Sequence, residues 1–333
     1  MGWLGDFVKS LKGSDAVDLM FVDGLQVPGG VSGPAAVRDQ CYVMLYLESL
    51  RLERARRFSS KFHGVVYTFA RLARRGEGTA ELAAVSKPNK IAELDENSLG
   101  KVITVSKQMM GAVPWRGGDL QLEIGLFSVK SGDVLSPVIN LVTKISDTAG
   151  ISFVGAVKPF VPLITEGMAM LAGQTKDVAL EVGTDTSLTL TGPTTCAIIA
   201  ARKGTLDPSQ LSIDPADRKL LYQGQPLQKG YCVFTVRTTD RKPDYGEIPD
   251  LKAKFEAFLE QVNKGLQNEA KEALNAFRRA AVTSPDLISA DARQLVMEAE
   301  QTMQDAFPGG PISAEPRRLP RSLADLPLYA EAG

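Results

Sequence analysis

The twelve residues Asp119–Lys130 read DLQLEIGLFSVK, and their alternation constrains the fold more than any other feature. Leu120, Leu122, Ile124 and Leu126 share one parity, while Gln121, Glu123 and Gly125 take the other. A period of two sends the apolar set to one face of a strand; a helix would scatter it around its circumference. A half-buried strand needs a sheet, and the sheet needs a second layer over its apolar face.

Further segments carry the same signal. From Cys41, the residues Cys41, Val43, Leu45 and Leu47 alternate with Tyr42, Met44, Tyr46 and Glu48. Both sets are largely apolar, which predicts a central strand covered on both faces. Val65–Leu72, Ala80–Ser86 and Val102–Val105 follow. Val178 to Leu190, Thr195–Ala201 and Tyr231–Val236 come later. The segment VPWRGGD before Asp119 reads as a turn led by Pro114 and relaxed by Gly117 and Gly118. DPADRKLLYQGQPLQKG reads as a hairpin turning at Gln223 and Gly224. The Gly-rich stretch 24–33 fits no phosphate-loop spacing and reads as a plain loop. Many short strands with turn signals predict an antiparallel sandwich or barrel rather than a βαβ fold.

The most hydrophobic run, 149–173, raises the question of a membrane. A spanning helix needs about 20 predominantly apolar residues. This run holds Lys158 and Glu166 with Pro159 and Pro162 between them, and each charge near a bilayer centre costs roughly 2.5–3.5 kcal/mol. Val157, Phe160, Val161, Ile164, Met168 and Leu171 recur at three- and four-residue spacing, which predicts an amphipathic helix. Val134, Leu135, Val138, Ile139, Val142 and Ile145 form a similar stripe. Residues 131–173 are therefore expected to form a helical hairpin packed over the sheet.

Trp3, Leu4, Phe7, Val8 and Leu11 predict a short amphipathic helix over residues 1–14. From Pro249 the pattern is helical again. Leu251, Phe255, Phe258, Leu259, Val262 and Leu266 form one stripe, a break falls near Gly265, and Pro285 opens a third segment. After Phe307 proline recurs and large apolar residues thin out, predicting a disordered tail over 308–333; the alternative is that the leucines of Leu319–Tyr329 dock on a partner. The expected fold class is α+β: an antiparallel β-sandwich or barrel (15–246) with an inserted amphipathic helical hairpin, then a C-terminal helical module (247–307).

With 44% hydrophobic and 23% charged residues the chain is globular in composition, and a net charge of −1 creates no global field toward nucleic acid. Cys41, Cys196 and Cys232 are odd in number and widely spaced, so free thiols in a reducing, cytoplasmic setting are expected. The N-terminus has no signal-peptide pattern, and Asp6 departs from a myristoylation motif. Abundant Ala and Arg suggest a bacterial source.

A single histidine, His63, excludes multi-histidine metal sites and the H-E-x-x-H motif. G-x-S-x-G, kinase and dinucleotide signatures do not occur. Hence no catalytic residue, metal or cofactor is assigned; a dispersed carboxylate or serine site is the enzymatic alternative.

One charge cluster stands out. Arg51, Arg54, Arg56, Arg57 and Lys61 follow one strand, and Arg71, Arg74 and Arg75 end the next. If these strands pair as a hairpin, the two groups sit at opposite ends of it. Acids of the C-terminal helices (Glu247, Asp250, Glu256, Glu260, Glu269, Glu272) offer an intramolecular match. A protein partner is the next candidate, then an anionic membrane surface; nucleic acid comes last, because aromatics are not interleaved with the arginines. The expected function is a non-enzymatic interaction protein, an adaptor or complex component. The alternative is a membrane-active or pore-forming effector at the inner membrane face, contacting lipid through Trp3, Phe7, Phe160 and Ile164.

Overall fold

The computed structural model describes residues 19–52, 62–75, 78–85, 102–130, 153, 178–308 and 318–329. The expected N-terminal helix lies outside them, as does the 131–173 hairpin apart from Phe153.

The chain is α+β, and among the described residues its strands form two main antiparallel sheets. The first contains β1 (Met20–Val22), β2 (Tyr42–Arg51), β5 (Val102–Pro114), β8 (Thr194–Ile199) and β12 (Tyr231–Thr239), in the order β1-β8-β12-β2-β5. The second contains β3 (Phe62–Ala73), β4 (Thr79–Val85), β6 (Asp119–Lys130) and β7 (Val178–Thr189), in the order β4-β3-β6-β7. One buried cluster draws Val43, Leu45, Cys196 and Phe234 from the first sheet and Val66, Leu122, Ile124 and Leu126 from the second. The two inner faces therefore make a sandwich core. The alternation of β6 works as read: Leu120, Leu122, Ile124 and Leu126 are all buried in this core.

β2 and β3 do not form the hairpin expected from their succession. β2 lies between β12 and β5, and β3 between β4 and β6. The two strands belong to different layers, and Leu45 of β2 and Val66 of β3 enter the shared core from opposite sheets. β2 is apolar on both parities because both its faces are covered. A bulge on β2 shifts its pairing with β12 so that Ser49 opposes Val233 and Leu47 opposes Phe234. The extra residue, Glu48, flips the phase, which puts Leu50 and Leu52 in the same core as Leu47.

β5 runs nine residues beyond its expected end. Its register with β2 shifts three times, and Ser106 has φ 41°. This irregularity erases the period of two, and Met109 and Met110 both enter the core. The expected turn at Gly117 and Gly118 is present, both with positive φ. So is the hairpin at Gln223–Gly224 (φ 51° and 76°), which joins β10 (Leu220–Tyr222) to β11 (Gln225–Pro226). With β9 (Leu211–Ile213) these form a small third sheet. It covers one end of the outer face of the five-stranded sheet through Leu211, Ile213 and Leu220 against Tyr231 and Val233. The three cysteines are free and buried in the sandwich core, where burial pushes the Cys196 and Cys232 thiols up to about 12.

Three helices follow: α1 (Pro249–Asn263), α2 (Gln267–Thr283) and α3 (Ser289–Ala306). Their stripes meet in a separate core built on Phe255, Phe258, Phe277 and Leu295. Gly265, at φ 70°, ends α1 as expected; Leu266, read as part of that stripe, is instead exposed at the start of α2. α3 starts at Ser289 rather than Pro285, because Leu287 and Ile288 are engaged by the sandwich, as described below.

The expected disordered tail is corrected for residues 318–329. This segment, here called the strap, returns to the helices and buries Leu323, Leu326 and Leu328 in their core. Its sparse leucines are spaced to fill a groove rather than to repeat along an element, so they carry no periodic signal.

Candidate interaction surface at the junction of the two modules

The helical module sits on the sandwich through a layer of polar and charged groups at the Tyr42 end of β2. Tyr42 is fully buried, with Ala112 and Ile288 packed beside it. Its hydroxyl donates to Asp291 Oδ2 (2.6 Å) and accepts from the Ile288 N–H (3.2 Å). The same Oδ2 accepts a second bond, from the Tyr329 hydroxyl of the strap (2.6 Å). Tyr329 in turn accepts the Lys242 N–H (2.7 Å). One carboxylate on α3 thus ties sandwich, helices and strap together. Burial raises the Asp291 carboxyl above its ordinary value, and the two tyrosine bonds partly offset this. Burial and the adjacent carboxylate hold both tyrosines well above the usual phenol range.

Lys242 lies beneath this network with its side chain fully buried. Its ammonium donates to the Ala112 carbonyl (2.6 Å) and forms an ion pair with Asp244 (3.2 Å). The rings of Phe153 and Tyr42 lie 5.0 and 5.8 Å from it. Burial lowers its pKa, while Asp244 and Asp286 work against that shift.

A third link forms at the N-terminus of α3, where Ile288 offers no side-chain cap. Asp39 supplies one from the sandwich: its Oδ1 accepts the Ser289 N–H (3.1 Å), and the Ser289 hydroxyl bonds to Oδ2. Arg116 pairs with Asp39 and donates to the Leu287 carbonyl (2.6 Å).

The strap crosses the helices beside this junction. The Tyr245 hydroxyl faces the carbonyls of Ala324 (3.0 Å) and Leu326, and its ring meets Tyr329 edge-on at 6.2 Å. Between strap and α3 runs an open groove of about 470 Å³, with Glu298, Thr302 and Asp305 on one wall and Arg318, Pro320 and Pro327 on the other.

Only half of the arginine cluster read from the sequence falls among the described residues, and there Arg51 has different neighbours from Arg71 and Arg75. Arg54, Arg56, Arg57 and Lys61 lie outside the described residues, as do Trp3, Phe7, Phe160 and Ile164. Arg51 is buried and donates to the Lys229 carbonyl and Gln228 Oε1, steadying the approach to β12. Arg71, Arg74 and Arg75 end β3 at the junction side of the molecule. Arg71 pairs with Glu81 (2.9 Å) beside a shallow cleft of about 370 Å³ that also includes Gln121, Glu123 and Asp185. Arg74 is exposed, and Arg75 reaches Ser289 Oγ (3.4 Å). Of the helix acids expected to meet these arginines, Glu247 and Glu260 pair instead with Lys252 and Lys264 of their own module.

Sequence reasoning missed Asp39, Tyr42, Lys242, Asp291 and Tyr329 as a group. Tyr329 carried the one available signal, an aromatic next to leucines in a proline-rich tail. Among the described residues no helix is long and apolar enough to cross a membrane, and no cluster of His, Cys, Asp or Glu could hold a metal ion. Compared with known proteins, the chain matches no family model, no curated protein and no solved structure.

Proposed function

We propose that this chain is a non-enzymatic interaction protein, an adaptor or component of a bacterial cytoplasmic multi-protein system. The sandwich is its scaffold and the helical module its recognition unit. The observation that carries this reading is the strap: the helical module already holds a short linear segment across its apolar groove, by side-chain anchors and a tyrosine on two carbonyls. Helical grooves that accept a few spaced apolar anchors are a recurring mode of peptide recognition. The buried junction ties this unit to the scaffold through several hydrogen bonds, which suits a component that positions one partner against another.

The test is capture at low salt from bacterial extract, with the full chain as bait and a Glu298→Arg/Asp305→Arg chain as control. The reading predicts a partner recovered in stoichiometric amount by the wild type and reduced at least tenfold with the control. No recovered partner, or equal recovery by both baits, would overturn it.

A further inference from the structure

The manner in which the strap is held has a consequence for how the groove is used. Among the described residues, the strap's backbone–backbone bonds are internal: Asp325 N–H to Ser322, Leu326 N–H to Leu323 and Leu328 N–H to Leu326. Its one turn is closed by its own capping box between Ser322 and Asp325. Toward the helices it is held by Leu323, Leu326 and Leu328, which are 1, 3 and 6% exposed, and by the Tyr245 and Tyr329 hydroxyls. Spaced apolar anchors in a helical groove, without backbone pairing to the receptor, are one way in which a folded domain holds a peptide.

The receptor surface is shaped to this segment. Gly246 passes so close to the strap that a Cβ there would lie 2.6 Å from the Ala324 Cβ. The acids Glu298 and Asp305 form the α3 wall of the open groove, opposite Arg318 and Arg321 at the strap's first residues. Nine residues, GGPISAEPR, separate the strap from Pro308. At about 3.3–3.6 Å per extended residue they reach on the order of 30 Å, enough for the strap to leave the groove while α3 stays in place.

We propose that residues 318–329 are a releasable ligand held in cis, occupying the site where the helical module takes a partner's peptide of the same chemistry. That peptide carries basic residues followed by Leu-x-x-Leu-x-Leu and an aromatic, as in the strap's own Arg318, Arg321, Leu323, Leu326, Leu328 and Tyr329. The open groove is where the incoming chain first binds, its basic residues meeting Glu298 and Asp305; displacement then proceeds toward Tyr329. Because Tyr329 shares Asp291 with Tyr42, release of the strap also removes one of the two donors at the junction. The proposal rests on the reading of the helical module as the recognition unit.

The experiment is fluorescence anisotropy with a labelled peptide of residues 318–329. It is titrated against the full wild-type chain and a full chain carrying Leu323→Asp/Leu326→Asp, whose fold is checked by circular dichroism. The expected result is at least tenfold tighter binding to the variant, lost when the peptide itself carries Leu326→Asp. Equal binding to both chains, or none to a folded variant, would overturn the proposal. If the variant does not fold, hydrogen exchange on the wild type decides. Amides 323–328 must exchange at least tenfold faster than those of 295–302; a strap as slow as α3 is a fixed part of the core and overturns the proposal. A concentration-dependent wild-type dimer lost with Leu326→Asp would replace the partner peptide by a second copy's strap. Peptide exchange and partner capture read different steps, so either can fail alone.

Discussion

The sandwich core and the junction with the helical module are built by opposite means. The core is made of many equivalent apolar contacts, in which Leu122, Leu126, Phe234 and their neighbours interdigitate between two sheets. The junction has a small apolar contact around Tyr42, Ala112 and Ile288, and otherwise depends on a few irreplaceable polar ones. A core of the first kind responds to the volume lost at any position. A junction of the second kind responds to which partner is left unsatisfied.

The largest expected effect tests the first half of this contrast. Leu126→Ala removes a fully buried side chain from the middle of the sandwich and should cost about 4 kcal/mol, read from the shift of the urea midpoint. A cost below about 1 kcal/mol would mean that the two sheets are not closely packed there.

Lys242→Met comes next and probes the second half. Its volume is nearly conserved, so a purely packing-driven junction would tolerate it. It leaves the Ala112 carbonyl without its donor and removes the cation facing Asp244 and the buried Asp286. The expected cost is about 3 kcal/mol by equilibrium unfolding. A neutral outcome would make the junction resemble the core after all.

The pH dependence of the junction is smaller and has a definite sign. The folded Asp291 carboxyl is raised by burial, so the native state binds a proton more tightly than the unfolded chain. Its contribution is fully present below the unfolded value and is lost as pH rises through the folded one. Tyr42, Tyr329 and the nearby Asp240 face this group. The wild type should therefore lose stability relative to Asp291→Asn as pH rises through that window, in paired thermal melts. A relative gain over the same range would contradict the assignment.

The smallest effect belongs to the surface. Arg71→Ala breaks a pair with Glu81 in which both side chains are 35% exposed. It should cost less than about 1 kcal/mol, and less still in high salt. A larger cost would give the end of β3 a structural role comparable to the junction.

The same contrast explains what was legible in the sequence. The strands of the core repeat a two-residue pattern, so β6 and the Gln223–Gly224 hairpin could be read directly, and the stripes of α1 to α3 could be read at period 3.6. Irregular pairing hid the far end of β5, and a layer change hid the fact that β2 and β3 belong to different sheets. The junction repeats nothing: Tyr42, Lys242, Asp291 and Tyr329 come from four distant points in the chain, and each alone looks like an ordinary surface or strand residue. The arginine run was conspicuous because it is local. Its described members turn out to serve separate neighbours at two ends of the molecule.

The most direct test of the shared carboxylate is a double-mutant cycle on Tyr42→Phe and Tyr329→Phe, measured by urea unfolding of the full chain. Both hydroxyls donate to Asp291 Oδ2, so their contributions are predicted to couple by at least about 0.5 kcal/mol. Strict additivity, within about 0.3 kcal/mol, would show that sandwich and strap are held independently and would contradict the account of the junction as one unit.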